Sequence, residues 1–256
     1  MTEFVKVKTR RGVNGILDPE ITNESNQSTL KESLEKKKQI VLESQLYEEI
    51  IQSLHPHKFT KIRCVALGSP SQEEPALYQL SLLQSLASKF NIDSKNISIY
   101  DPVFSKLDKA VFESWNYEIS ESYDSLNPND VLFFLPHAPL NLTNHIISTN
   151  NPKLLLANNI LTHTDRLTKS ELFVKYPLLS KLSSLITINK NESNNDGFEA
   201  VVKKKTRKQK NKFIEPTIDN SKVESYFSSI DIISFKEFEN GQWANSFTDL
   251  AFHSIL

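Results

Sequence analysis

Three short runs carry the polar groups best suited to chemistry: Leu67-Gly-Ser69, Tyr100-Asp-Pro102 and Leu135-Pro-His-Ala-Pro139. In the first, Gly68 permits a tight turn and close backbone approach to a ligand, and Ser69 offers a hydroxyl where a helix is about to start. In the second, Asp101 is an acid that could accept hydrogen bonds from ribose hydroxyls, although Asp before Pro is equally a turn opener. In the third, His137 sits between two prolines that restrict the backbone. An imidazole there could exchange hydrogen bonds, move protons near neutral pH or bind a metal. Each run also has a purely structural reading: a turn at Gly68 and Ser69, a cap or turn at Asp101, a satisfied histidine at His137.

Several chemistries are excluded at this level. Five glycines, at positions 12, 15, 68, 197 and 241, cannot spell G-x-G-x-x-G or G-x-x-x-x-G-K-[ST], so the glycine-rich nucleotide loops are absent. The single cysteine, Cys64, rules out an internal disulfide and a multi-thiolate metal site, and it fits a reducing compartment. It lies in an apolar run, where a thiol is an inert small hydrophobe, and no G-x-S-x-G elbow exists, which sets hydrolase chemistry aside. His55, His57, His137, His145, His163 and His253 show no H-x-x-x-H or H-E-x-x-H spacing, so no metal site is expected.

The three runs need elements to position them, and each follows a β-rich segment. Lys61 to Leu67 reads as a strand, Pro75 to Phe90 as a helix, Asn96 to Tyr100 as a second strand, Ser105 to Trp115 as a helix and Tyr117 to Ile119 as a short third strand. Asp130-Val-Leu-Phe-Phe-Leu135 is continuously apolar between Pro128 and Pro136, the pattern of a strand buried on both faces at the centre of a parallel sheet. Leu140 to Ser148 follows as a helix and Lys153 to Ala157 as a strand. Helices come next over Asp165 to Tyr176 and Leu178 to Leu185, then strand-like Leu185 to Ile188 and a last strand, Asp231 to Phe235. This alternation predicts a Rossmann-like, doubly wound, mostly parallel α/β sheet. An N-terminal helix is expected over 30–54, with Leu30, Leu34, Val41, Leu42, Leu46, Ile50 and Leu54 on one stripe and Ser28 or Thr29 as its cap. Residues 1–28 read as a flexible arm, 29–256 as one α/β domain with a polar insertion over 189–215, and the aromatic-rich tail from Trp243 as a segment that docks on the core.

Thirty basic against 31 acidic residues give a net charge of −1, which predicts no general affinity for nucleic acid or acidic membranes. The neutrality is composite. Lys203, Lys204, Lys205, Arg207, Lys208, Lys210 and Lys212 fall within ten residues, and without them the remainder carries −8. That segment reads as a solvated loop, a nuclear localisation signal or an anion-binding arm, and the lack of aromatics within it argues against stacking on bases. No apolar run approaches the ~18 residues of a membrane span. With Glu3 early and no apolar leader, the expectation is the cytoplasm, with the nucleus as a further compartment.

Taken together, Leu67-Gly-Ser69, Tyr78-Gln-Leu80, Tyr100-Asp-Pro-Val-Phe104 and Phe134-Leu-Pro-His-Ala-Pro139 resemble, in order and spacing, the SRR-like domain. That family is named for a plant protein whose loss reduces sensitivity to red light, and it has fungal relatives connected to benomyl resistance. Leu155-Leu-Ala-Asn-Asn159 and Ser246-Phe-Thr-Asp-Leu-Ala-Phe-His253 are partial matches, with Ala157 where the family tends to have glycine and Ala138 where it often has cysteine. The resemblance brings Gln79, Pro136, Asn158 and Asn159 into the crevice set beside Gly68, Ser69, Asp101 and His137. It implies a regulatory protein without an assigned reaction or cofactor, acting through unidentified protein partners in microtubule-related, haem-linked or clock-linked processes. The asparagine- and serine-rich insertions favour the fungal branch. The alternative is a methyltransferase-like fold in which Gly68 and Ser69 approach S-adenosylmethionine, Asp101 holds its ribose and His137 lies beside the acceptor. A third reading is nucleic-acid binding through the lysine segment.

Overall fold

A computed structural model describes residues 24–123, 127–193, 218–235, 243 and 245–256. The lysine segment and most of the 189–215 insertion lie outside the described residues, as do residues 1–23 of the N-terminal arm.

The apolar run flanked by prolines forms β4 (Val131–Leu135), every residue of which is buried. It lies at the middle of a seven-stranded sheet. The others are β1 (Lys61–Val65), β2 (Ile97–Tyr100), β3 (Glu118–Ile119), β5 (Leu154–Asn158), β6 (Ile230–Ser234) and β7 (Leu250–Ile255), and the spatial order is β3-β2-β1-β4-β5-β7-β6. All neighbours are parallel except β7, which runs antiparallel to β5 and to β6. The tail from Trp243 therefore does more than dock: it becomes a strand inserted between two others.

Strand register fixes what each face presents. Ile99, Cys64, Phe134, Leu156 and Phe252 align across the sheet on one face, and Ser98, Arg63, Phe133, Leu155 and His253 on the other. On the first face pack α1 (Glu24–Leu42), α2 (Gln45–Leu54), α3 (Glu74–Lys89) and α4 (Lys106–Ser114), which contribute Leu34, Ile50, Leu80 and Phe112 to the core. The second face is covered by α5 (Leu140–Asn150), α6 (Ile160–Thr164), α7 (Lys169–Lys175) and α8 (Pro177–Ser193), through Ile147, Ile160, Leu172 and Leu182. Fully burying a side chain of this size contributes roughly 1.5–3 kcal/mol, so the two layers supply the fold's main driving force. Among the described residues no α-helix links β3 to β4, and the second face of β1 and β2 is correspondingly polar. Arg63 is buried there, donating to Ser98 Oγ (2.7 Å) and to the Glu121 carbonyl (3.0 Å), with its guanidinium 5.2 Å from the centre of the Tyr123 ring.

Three local expectations are corrected. The stripe from Leu30 to Leu54 belongs to two helices rather than one, because Ser44 ends the first run and caps the second, accepting from Tyr47 N at 3.1 Å while donating to the Val41 carbonyl. Neither Ser28 nor Thr29 is a cap: α1 begins at Glu24, within the last residues assigned to the arm, and both hydroxyls bond within the helix. Leu185 to Ile188 is helical, since Leu179, Leu182 and Ile186 continue one buried face of α8 at helical spacing, and packing outweighs the local β-branched composition.

Candidate functional site

Chain connections leave β1 and β4 in opposite directions along the sheet, so the switch of strand order falls between them, and the crevice at their C-terminal ends is the expected ligand position. Gly68 flanks it from β1 and His137 from β4.

The loop after β1 is bound by two carboxylates. Ala66 and Gly68 both have positive φ, 60° and 79°, which turns the chain sharply off the strand. The Gly68 N–H then donates to Asp101 Oδ2 at 2.8 Å, while Asp101 Oδ1 accepts from Val103 N at 3.1 Å. Ser69 is buried, and its hydroxyl donates to Asp108 Oδ2 at 2.5 Å. Asp108 is wholly buried and also accepts from Ser71 N (2.9 Å) and Ser105 N (2.8 Å). With Ser105 Oγ accepting from Asp108 N, this completes a capping box at the start of α4. One carboxylate thus caps a helix and clamps the neighbouring loop. A side chain at Gly68 would be tight as well as strained: a Cβ would stand 3.1 Å from Ala76 Cβ and from Glu73 Oε2 at a positive φ. Glu73, the N-cap residue of α3, brings its carboxylate beside Gly68, and its charge opposes a phosphate at that helix end.

Across the switch point, Pro136 is buried and His137 is exposed. Partial desolvation of the ring lowers the His137 pKa, and the Glu73 charge pulls it the other way, which places Glu73 and His137 within electrostatic reach. Asn158, buried at the end of β5, donates to the Ala138 carbonyl at 3.4 Å and so ties the ends of β4 and β5. Asn159 caps α6 by accepting from Leu161 N at 2.9 Å and donates to Ser234 Oγ at 2.8 Å. Gln79 is fully buried in α3 and donates to the Ser246 carbonyl at 2.7 Å, anchoring the turn that leads into β7. Gly68 and Asp101 are thus joined directly, Ser69 is held beside them by Asp108, and His137 lies within reach of Glu73, whereas Gln79 and Asn159 fasten the tail and α6.

Sequence reasoning passed over Glu73, Asp108 and the part played by His253. The Ser105-x-x-Asp108 spacing announces a capping box, but not the reach of Asp108 to Ser69. His253 lies in the sheet interior, where Ile160 N donates to its Nε2 (3.3 Å) and its Nδ1 is 3.2 Å from the Leu155 carbonyl, so Nδ1 carries the proton of a neutral ring. Burial depresses its pKa to about 4. Burial also pushes the Cys64 thiol up, away from thiolate chemistry. Among the described residues no group of three or more His, Cys, Asp or Glu is placed to hold a metal, and no helix is long and apolar enough to cross a membrane.

The family model described as SRR1 domain matches residues 30–254. No curated protein and no solved structure matches the chain.

Proposed function

The chain belongs to the SRR1 domain family, and from that premise we propose that it is a non-catalytic regulatory protein acting through protein partners. The observation that carries this reading is the state of the strand-end polar groups. Asp101, the acid suited to a cofactor's ribose, already bonds Gly68 N and Val103 N, and Ser69 is committed to Asp108. The crevice is furnished to hold its own loops, and the exposed Glu73 carboxylate beside Gly68, with Asp101 behind it, disfavours phosphates. The processes in view are those attached to the family resemblance: microtubule-related, haem-linked or clock-linked regulation in the cytoplasm and nucleus. The acidic remainder of the chain argues against nucleic acid as the partner.

One observation favours a second reading. The order β3-β2-β1-β4-β5-β7-β6 with a reversed β7 is the strand arrangement of Rossmann-like methyltransferases, and an acidic crevice suits a sulfonium cofactor better than a nucleotide. This is an analogy of fold, which by itself carries no activity. Titrating the intact protein with S-adenosylmethionine, with nucleotides and with haem, read by calorimetry and by thermal stability, separates the two. The regulatory reading expects no saturable heat and no shift in Tm with the first two. Saturable binding of S-adenosylmethionine with a rise in Tm overturns it, since a ligand that binds only the native state must stabilise it. Asp101→Asn then locates that binding by weakening it.

A further inference from the structure

A second cavity, of about 300 Å³, opens on the helical layer beyond β4 and β5, lined by Pro139, Leu140, His163, Arg166, Leu167, Lys175 and Tyr176. Its chemistry differs from that of the acidic crevice. Arg166 and Lys175 bring two permanent cations and His163 an imidazole, and no carboxylate is among the lining residues. The other walls are apolar or aromatic.

Four segments build it. Pro139 is the N-cap of α5 and supplies no side-chain acceptor, so the positive end of an 11-residue helix faces this region. His163 belongs to the last turn of α6, Arg166 and Leu167 to the link that follows, and Lys175 and Tyr176 to the end of α7. Among the described residues, neither Arg166 nor Lys175 forms an ion pair. The nearby acids lie outside the lining. Glu171, one turn before Lys175, closes the capping box with Thr168 and also feels the Lys175 charge, but it does not line the cavity. Asp249 attracts the His163 ring but does not line the cavity. Desolvation and then the Arg166 charge hold the His163 pKa below its ordinary value, against the opposing pull of Asp249.

We propose that this cavity binds a small aromatic anion, a carboxylate or phosphate monoester carried on a single ring. The acid group sits between Arg166 and Lys175, with the His163 imidazole as a further donor, and the ring lies against Leu140, Leu167 and Tyr176. The volume is at the small end of ligand clefts, about 300–1,000 Å³, which leaves room for one ring and one acid group. A guanidinium suits either acid by forked hydrogen bonding, and the ammonium adds a point charge. The site goes beyond the regulatory reading and does not depend on it, because the crevice at Gly68 and Asp101 contributes nothing to the lining.

The test uses the full chain at physiological salt, titrated with phenyl phosphate, benzoate, inorganic phosphate and uncharged benzyl alcohol, and read by calorimetry and by the NMR signals of His163 and Tyr176. Saturable binding of phenyl phosphate or benzoate is expected, at least about tenfold tighter than benzyl alcohol. The tighter of the two anions identifies the acid group, and inorganic phosphate alone should bind more weakly than phenyl phosphate. Arg166→Gln and Lys175→Gln are surface changes that leave Tm near that of the parent, and each should weaken the anion about fivefold or more, whereas Lys109→Gln on α4 should not. Absence of a saturable response to both aromatic anions at millimolar concentration overturns the proposal. So does equal affinity for benzyl alcohol, or anion affinity unchanged by both Arg166→Gln and Lys175→Gln. A failure here leaves the S-adenosylmethionine titration unaffected, because that experiment reads the other site.

Discussion

Asp108 shows how one side chain can define a strand-end loop. Its carboxylate accepts from Ser69 Oγ, Ser71 N and Ser105 N with no solvent access. Asp108→Ala would leave the buried Ser69 hydroxyl without its partner, at a cost of about 1–3 kcal/mol, and would weaken the two part-buried donors Ser71 N and Ser105 N, so urea unfolding should show a loss of about 2 kcal/mol or more. A loss under about 1 kcal/mol would mean that the loop is held by something else. His253 makes a different prediction, in pH. Unfolded, it takes up a proton near its ordinary value of 6.5, while the folded chain refuses that proton until about pH 4. Its contribution is therefore complete above pH 6.5 and is lost as pH falls through this window, a term on the order of 3 kcal/mol. Unfolding free energies measured from pH 7.5 to 4.5 should fall more steeply for the parent than for His253→Gln, and coincident slopes would refute the assignment. The sequence marks Asp101 by its place after a strand. The contacts that make Asp108 and His253 important are not marked, because they come from 39 and 98 residues away.

At the scale of elements, hydrophobic spacing located α3, α4, α5, β2, β4 and β5 nearly to the residue, since each has a strong period or a continuous apolar run between turn formers. It failed where two helices share one stripe. Leu30, Leu34, Val41, Leu46, Ile50 and Leu54 are all buried as the spacing requires, but Leu42, placed on the same stripe, is exposed at the end of α1, and the chain breaks at Ser44 between the two helices. A serine in a helical pattern gives a weak signal, and only the accepted bond from Tyr47 N identifies it as a cap. Ser44→Ala should destabilise the protein by about 1 kcal/mol and Ser44→Asp by much less, read by the urea midpoint. Equal effects would show that the hydroxyl's bond to the Val41 carbonyl, rather than its capping, is what counts.

For the whole molecule the decisive element is the tail. β7 pairs with β5 through five register positions and with β6 through five, so β6 reaches the sheet only through it. Leu250, Ala251, Phe252 and Ile255 are each at most 1% exposed, and losing them would uncover both faces of the sheet at once. A chain ended at Asp249 should lose its cooperative thermal transition and bind a hydrophobic dye such as ANS. A sharp transition within a few degrees of the parent's would show that β7 is an accessory strand.

By itself the sequence determined the α/β class, the central strand, the residues at the strand ends and the family, because these depend on local period, on turn chemistry and on the order of short motifs along the chain. It also removed the glycine-rich nucleotide loops outright, since five scattered glycines cannot form them. Only the tertiary structure decided that β7 lies reversed between β5 and β6, that Asp101 and Asp108 are committed to the loop after β1, and that His163, Arg166 and Lys175 line one cavity. These are pairings between segments far apart in the chain. Strand order and long-range hydrogen bonds arise from the joint burial of several elements, and no local pattern records which distant partner each will meet.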